Sequence, residues 1–72
     1  MIKLYTSKGC SRCAVVKNIL EQKGIEFQTI MFEDLAKDEQ ERMMQRTEAA
    51  DIYSFPVIEK EDGSITNRLE EI

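Results

Sequence analysis

The sequence predicts an α/β fold: a four-stranded mixed sheet laid down in the order β-α-β-α-β-β, with helices packed on it and the final helix truncated or absent. Three observations carry this expectation. Short runs rich in β-branched and aromatic residues fall at 2–6, 25–32 and 54–60. Two longer stretches with helical periodicity separate them. Near the end, "EDGS" supplies the Asp-Gly of a tight turn between two short strand-like runs. At 72 residues and 42% hydrophobic content, the chain has room for one domain, residues 1–72, around one thin core.

The elements follow in order. "IKLYT" (2–6) reads as a first strand, bounded by Ser7, Lys8 and Gly9. From Cys13 the period changes: Ala14, Val15, Val16, Ile19 and Leu20 share one broad face, and Lys17, Asn18, Glu21 and Gln22 the other, which predicts an amphipathic helix. Gly24 suits its end, because glycine takes the left-handed capping conformation without penalty. "IEFQTIMF" (25–32) alternates and then turns wholly apolar, the pattern of a largely buried strand. Asp34 is the expected cap of a second helix reaching about Ala49, with Leu35, Ala36, Met43, Met44 and Ala50 as its apolar marks. "SFPVIEK" gives a third strand entered through Pro56, "ITNR" a short fourth, and "LEEI" the stub of a last helix. Strands joined by a helix favour a parallel crossover, and a hairpin adds an antiparallel pair. That combination is the thioredoxin-like architecture in outline.

Charge and length exclude several classes of function. Fourteen acidic against 10 basic residues give a net charge of −4 with no basic run, whereas nucleic-acid binding needs clustered Lys and Arg. No stretch approaches the roughly 20 apolar residues of a membrane span, and "MIKLYT" has no signal core. Neither nucleic acid nor membrane is an expected partner. The expected home is a reducing, cytoplasmic compartment, where a close cysteine pair reads as catalytic or metal-binding.

Cys10 and Cys13 are the two cysteines of the chain. A bridge between them closes too short a loop to stabilise much, and one chain with two cysteines and no histidine cannot complete a four-ligand zinc site. Two chains sharing Cys10 thiolates around zinc or an iron–sulfur cluster form the alternative reading. The position of the pair favours redox chemistry. Cys10 falls at the start of the first helix, where unpaired N–H groups and the helix dipole favour a thiolate, and Lys8 and Arg12 add positive charge. Cys13 falls one turn in, toward the buried side. This predicts an attacking thiol beside a resolving one. Pro56, opening a strand after Ser54 and Phe55, is either an ordinary strand-edge proline or a residue that brings the backbone of Phe55 beside the dithiol to pair with an extended substrate.

"LYTSKGCSRCAVVKNILEQKGIEF" resembles the opening of glutaredoxins and of the glutaredoxin-like redoxins that donate electrons to ribonucleotide reductase, and "SFPVIEKEDGS" is similar to their Thr-Val-Pro strand and hairpin. The resemblance implies a small thiol–disulfide oxidoreductase, acting as a monomer without a tightly bound cofactor. It makes Cys10 the nucleophile, Cys13 the resolver, Pro56 the family's cis-proline and Phe55 the substrate-backbone position. Lys8 matches a family lysine that contacts the glutathione carboxylate. The implied partners are a disulfide-bearing protein such as ribonucleotide reductase, and glutathione or thioredoxin reductase as electron source. Three features depart from the family, one being that the last helix is almost wholly absent and the interval from the second helix to Ser54 long by a few residues. Ser11-Arg12 stands for the usual Pro-Tyr, so Arg12 either steers an acidic partner or favours the thiolate. Thr66-Asn67 stands for the Gly-Gly that helps seat glutathione, which tilts the expected supply of electrons toward a mixed or reductase-driven one.

Overall fold

The computed structural model describes residues 1–71. β1 (Ile2–Thr6) leads into α1 (Ser11–Gln22), β2 (Phe27–Met31), a 3-10 turn (Phe32–Asp34), α2 (Lys37–Ala49), β3 (Val57–Glu59), β4 (Ile65–Thr66) and a second 3-10 turn (Leu69–Glu71). The four strands form one sheet in the order β2-β1-β3-β4. β1 pairs with β2 in parallel, Thr6 opposite Met31, and with β3 antiparallel, Tyr5 opposite Val57. β3 and β4 form the antiparallel hairpin. The expected mixed four-stranded sheet is thus present, with β1 at its centre. Among the described residues no helix is long and apolar enough to cross a membrane.

Alternation along the central strands divides the core into two layers. Ile2 and Leu4 of β1 and Ile58 of β3 face α1, where they pack with Val16 and Leu20. Tyr5 and Val57 point the other way, toward Met43 of α2 and Ile52. Leu4, Leu20 and Ile58 are wholly excluded from solvent. Arg46 ties the second layer to the hairpin, donating to Glu59 Oε2 at 2.9 Å and to the Gly63 carbonyl at 2.6 Å.

Both helices close with the same backbone device. After α1, Gly24 adopts φ +72° and the N–H groups of Gly24 and Ile25 bond back to Glu21 and Leu20, satisfying carbonyls the helix leaves open. After α2 the left-handed position is held by Asp51 at φ 58°, with Ile52 bonding back to Thr47 at 2.8 Å. Aspartate tolerates this conformation better than most side chains, so the second helix ends without a glycine.

Several expectations fail in position. Asp34 does not cap α2: it lies in the 3-10 turn, and Ala36 occupies the cap with no side-chain hydrogen bond. The carbonyls of Phe32 and Leu35 instead receive the side-chain amide of Gln40, which fastens the turn to the helix. β2 is not a largely buried strand, because it forms an edge of the sheet and none of its residues is fully buried. Ala14 and Val15 of α1 are exposed, leaving Cys13, Val16 and Leu20 as its buried positions. On α2, Met43 alone is buried, Leu35 before it is half-buried, and Ala36, Met44 and Ala50 face solvent. A two-residue β4 gives each layer little sheet to cover, so the apolar faces are narrower than periodicity suggests. The expected last-helix stub is a single 3-10 turn, and its final residue, Ile72, lies outside the described residues.

Leu20 joins α1 to both central strands, so Leu20→Ala is expected to cost about 2–5 kcal/mol of unfolding free energy. In a domain this small that is most of the available stability. Urea denaturation followed by circular dichroism measures it; a loss below about 1 kcal/mol contradicts the central placing of Leu20.

Candidate active site

The site is assembled where the buried central strand ends. β1 stops at Thr6, and residues Ser7 to Gly9 turn the chain into α1, with Cys10 as the residue that caps the helix. The Cys10 N–H donates to the Ser7 carbonyl at 3.2 Å, closing the turn. Gly9 sits at φ +79°, where a side chain would strain the backbone. Cys10 has an extended backbone, φ −86° and ψ 103°, and its Sγ accepts the N–H of Cys13 at 3.2 Å. A sulfur thus takes the place that a serine or aspartate oxygen holds at most helix starts.

Cys10 and Cys13 are bridged as a disulfide, with Cα atoms 5.5 Å apart. The sulfurs differ in surroundings, as the sequence predicts. Cys10 is half-buried at the surface end of the helix, and Cys13 is 5% exposed. The first turn of α1 carries no acidic residue to offset the positive end of the helix dipole.

A surface groove runs past the pair, lined by Ser7, Lys8, Cys10, Cys13 and Lys17, with Thr29 and Met31 of β2 on its far wall. Lys8 therefore stands in the same groove as the dithiol. Arg12 is exposed on the outer side of the first turn and does not line it.

Phe55 and Pro56 reach the same end of the sheet by another route. Antiparallel pairing sets Val57 opposite Tyr5, so the residues before Val57 lie toward the Thr6 end of β1. Pro56 is fully buried, and the Phe55–Pro56 peptide is cis. The Phe55 ring packs at a tilt on Phe32, centroids 5.3 Å apart, beside an apolar hollow that also includes Met43, Met44 and Tyr53. Thr66 and Asn67 stand farther off, across β3. Thr66 is buried with its Oγ1 receiving the Arg68 N–H at 3.1 Å, and Asn67 is half-buried just beyond β4. Neither lines the groove beside the cysteines.

Sequence reading missed Glu33. Its Oε1 accepts both the Ser7 hydroxyl at 2.7 Å and the Lys8 backbone N–H at 2.8 Å. The parallel register explains the meeting: Thr6 lies opposite Met31, so the loop that leaves β1 and the 3-10 turn that leaves β2 start side by side at the same end of the sheet. Nothing in the local pattern marks Glu33, but the strand pairing does.

A Cys-x-x-Cys bridge at the helix start, a buried proline at the same end of the sheet and a four-stranded mixed sheet define a protein of the thioredoxin-like class. Solved structures agree on the fold. The thioredoxin-like protein BC3987 superposes with a TM-score of 0.70 at 22% identity, covering 99% of this chain and 93% of that one. The glutaredoxin from Archaeoglobus fulgidus gives 0.68 at 24% identity, covering 97% and 77%. The glutaredoxin from Brucella melitensis gives 0.60 at 31% identity over 81% of this chain and 59% of that one. No curated protein sequence matches. The glutaredoxin family model matches residues 2–65, and the chain belongs to the glutaredoxin family. Membership together with the bridged pair supports thiol–disulfide oxidoreductase chemistry, with protein disulfides or glutathione as partners in general.

The Ser7 hydroxyl, and then the Lys8 N–H, hold the Glu33 carboxyl below its ordinary value of 4.5. A depressed carboxylate pKa means that the clamp is present above the unfolded-state value and is lost as pH falls through the folded one. Titration of the Lys8 amide by NMR is expected to show a midpoint below 4.5; a midpoint at or above it contradicts the clamp.

Proposed function

We propose that this chain reduces protein or glutathione mixed disulfides through Cys10 and Cys13. The observation that carries the reading is the cap itself: Cys10 Sγ receives a helix N–H while bridged to a cysteine one turn inside. Hydrogen bonding to the charged form and the helix dipole both lower a thiol pKa, so the reduced Cys10 is the nucleophile.

The Cys10 thiolate attacks a substrate disulfide, forming a bond to one sulfur and expelling the other as a thiolate. Cys13 then gives up its proton and attacks Cys10 Sγ, which releases the second substrate thiolate and leaves the intramolecular bridge. Two electrons have passed to the substrate. A pair of glutathione thiols, or thioredoxin reductase, returns the bridge to the dithiol.

The remaining site residues take roles according to where they stand. Lys8, in the groove, offers its ammonium to a substrate carboxylate. Arg12 acts from outside, steering an acidic partner. The backbone of Phe55, at the dithiol end of β3 and ahead of Pro56, pairs with the extended substrate chain. Thr66-Asn67 replaces the Gly-Gly of the family, and that replacement supports a mixed or reductase-driven supply of electrons. Ribonucleotide reductase is the protein substrate to test first.

Turnover in a coupled disulfide-reduction assay is expected to vanish in Cys10→Ser. Undiminished turnover in that variant would sink the mechanism. Parallel assays with glutathione plus its reductase, and with thioredoxin reductase, compare the two supplies; a rate confined to glutathione contradicts the reductase-driven part.

A further inference from the structure

We propose that Glu33 is a positioning residue for the dithiol: its carboxylate, carried on the 3-10 turn that follows β2, holds the Ser7–Lys8 segment and so fixes where Cys10 sits at the start of α1. The proposal rests on the thiol–disulfide reading above.

The segment between β1 and α1 is short, exposed at Lys8 and Gly9, and contains a glycine in the left-handed region. Its internal hydrogen bond is the one from the Cys10 N–H to the Ser7 carbonyl. That bond makes Ser7 the reference point for Cys10, and a reference point must itself be held. Glu33 holds it from outside, one oxygen accepting from both the Ser7 hydroxyl and the Lys8 N–H. Bonds to an ionised acceptor are shorter and stronger than neutral ones. The sheet places the anchor, because Glu33 lies in the 3-10 turn directly after Met31, whose strand is paired with β1 along its whole length. The sheet, acting through Glu33, therefore sets the position of the cap.

Charge and position act on Cys10 in opposite directions, which makes the proposal separable from its rivals. As a nearby anion, Glu33 disfavours a thiolate; as an anchor, it keeps the sulfur on the Cys13 N–H, which favours one. Glu33→Ala removes both effects, whereas Glu33→Gln removes the charge and keeps an acceptor oxygen.

The test follows Cys10 thiolate absorbance against pH, Lys8 amide exchange and disulfide-reduction rates in the two variants. In Glu33→Ala the Lys8 amide is expected to lose protection, the Cys10 titration to move to higher pH, and the rate to fall about tenfold, short of the roughly hundredfold that a misplacement of about 1 Å can cost. Glu33→Gln is expected to keep the Lys8 protection and most of the rate. If Ala and Gln both move the titration to lower pH, Glu33 acts by charge alone and the proposal fails. It also fails if Glu33→Ala stays folded with titration and rate unchanged. Ser7→Ala, which removes one of the two donors, is expected to shift the titration in the same direction as Glu33→Ala, and serves if the latter does not fold; no shift overturns the proposal. Active Cys10→Ser overturns the parent reading instead, while the amide exchange and thiolate titration report on the clamp without any turnover.

Discussion

The junction between Thr6 and Ser11 is the constraint on which the rest depends. There a central strand, hydrogen-bonded on both sides, gives way to a helix whose first N–H groups have no partner within it. Some acceptor has to be supplied, and this chain supplies the sulfur of Cys10. A capping oxygen only stabilises the helix. A capping sulfur also acquires reactivity, because the field that favours the cap favours a thiolate. Helix geometry then separates the two cysteines by nearly one turn, so one remains at the surface and the other is buried.

The thin core makes this junction dependable. β1 is the element shared by both layers: Ile2 and Leu4 pack under α1, and Tyr5 packs toward α2. A displacement of β1 would disturb both layers, so the position at which it delivers the chain to Ser7 is well determined. Pro56 benefits from the same frame, since β3 pairs directly with β1 and brings its leading end to the same rim. Sites on strand ends inherit the rigidity of the sheet, whereas Thr66 and Asn67, one strand farther out on a two-residue edge, share it less directly.

Much of this was legible in the residues, and the failures have physical causes. The order of elements followed from the change of period at Cys13 and from the Asp62-Gly63 turn, because those are local signals. The inequality of Cys10 and Cys13 followed from placing a helix start between them. What periodicity could not show was which strand lies at an edge: 25–32 is apolar enough for a buried strand, yet its position beside β1 leaves one side open. Asp34 has the chemistry of a cap, but Gln40 bonds to the carbonyls of Phe32 and Leu35, and the helix starts later. Glu33 was hidden for a different reason. Its partners are about 25 residues away in sequence and meet it only through the parallel register of two strands. Register is a tertiary fact, set by core packing rather than by any local motif.

The central claim is that the start of α1 makes two chemically unequal thiols out of one Cys-x-x-Cys. Alkylation of the fully reduced native protein across a pH series, with each cysteine quantified by mass spectrometry, tests it most directly. Cys10 is expected to react first and to titrate below the ordinary thiol value of about 8.5, with Cys13 slow until Cys10 is blocked or the chain is unfolded. Equal rates for the two cysteines, or a faster Cys13, would contradict the account.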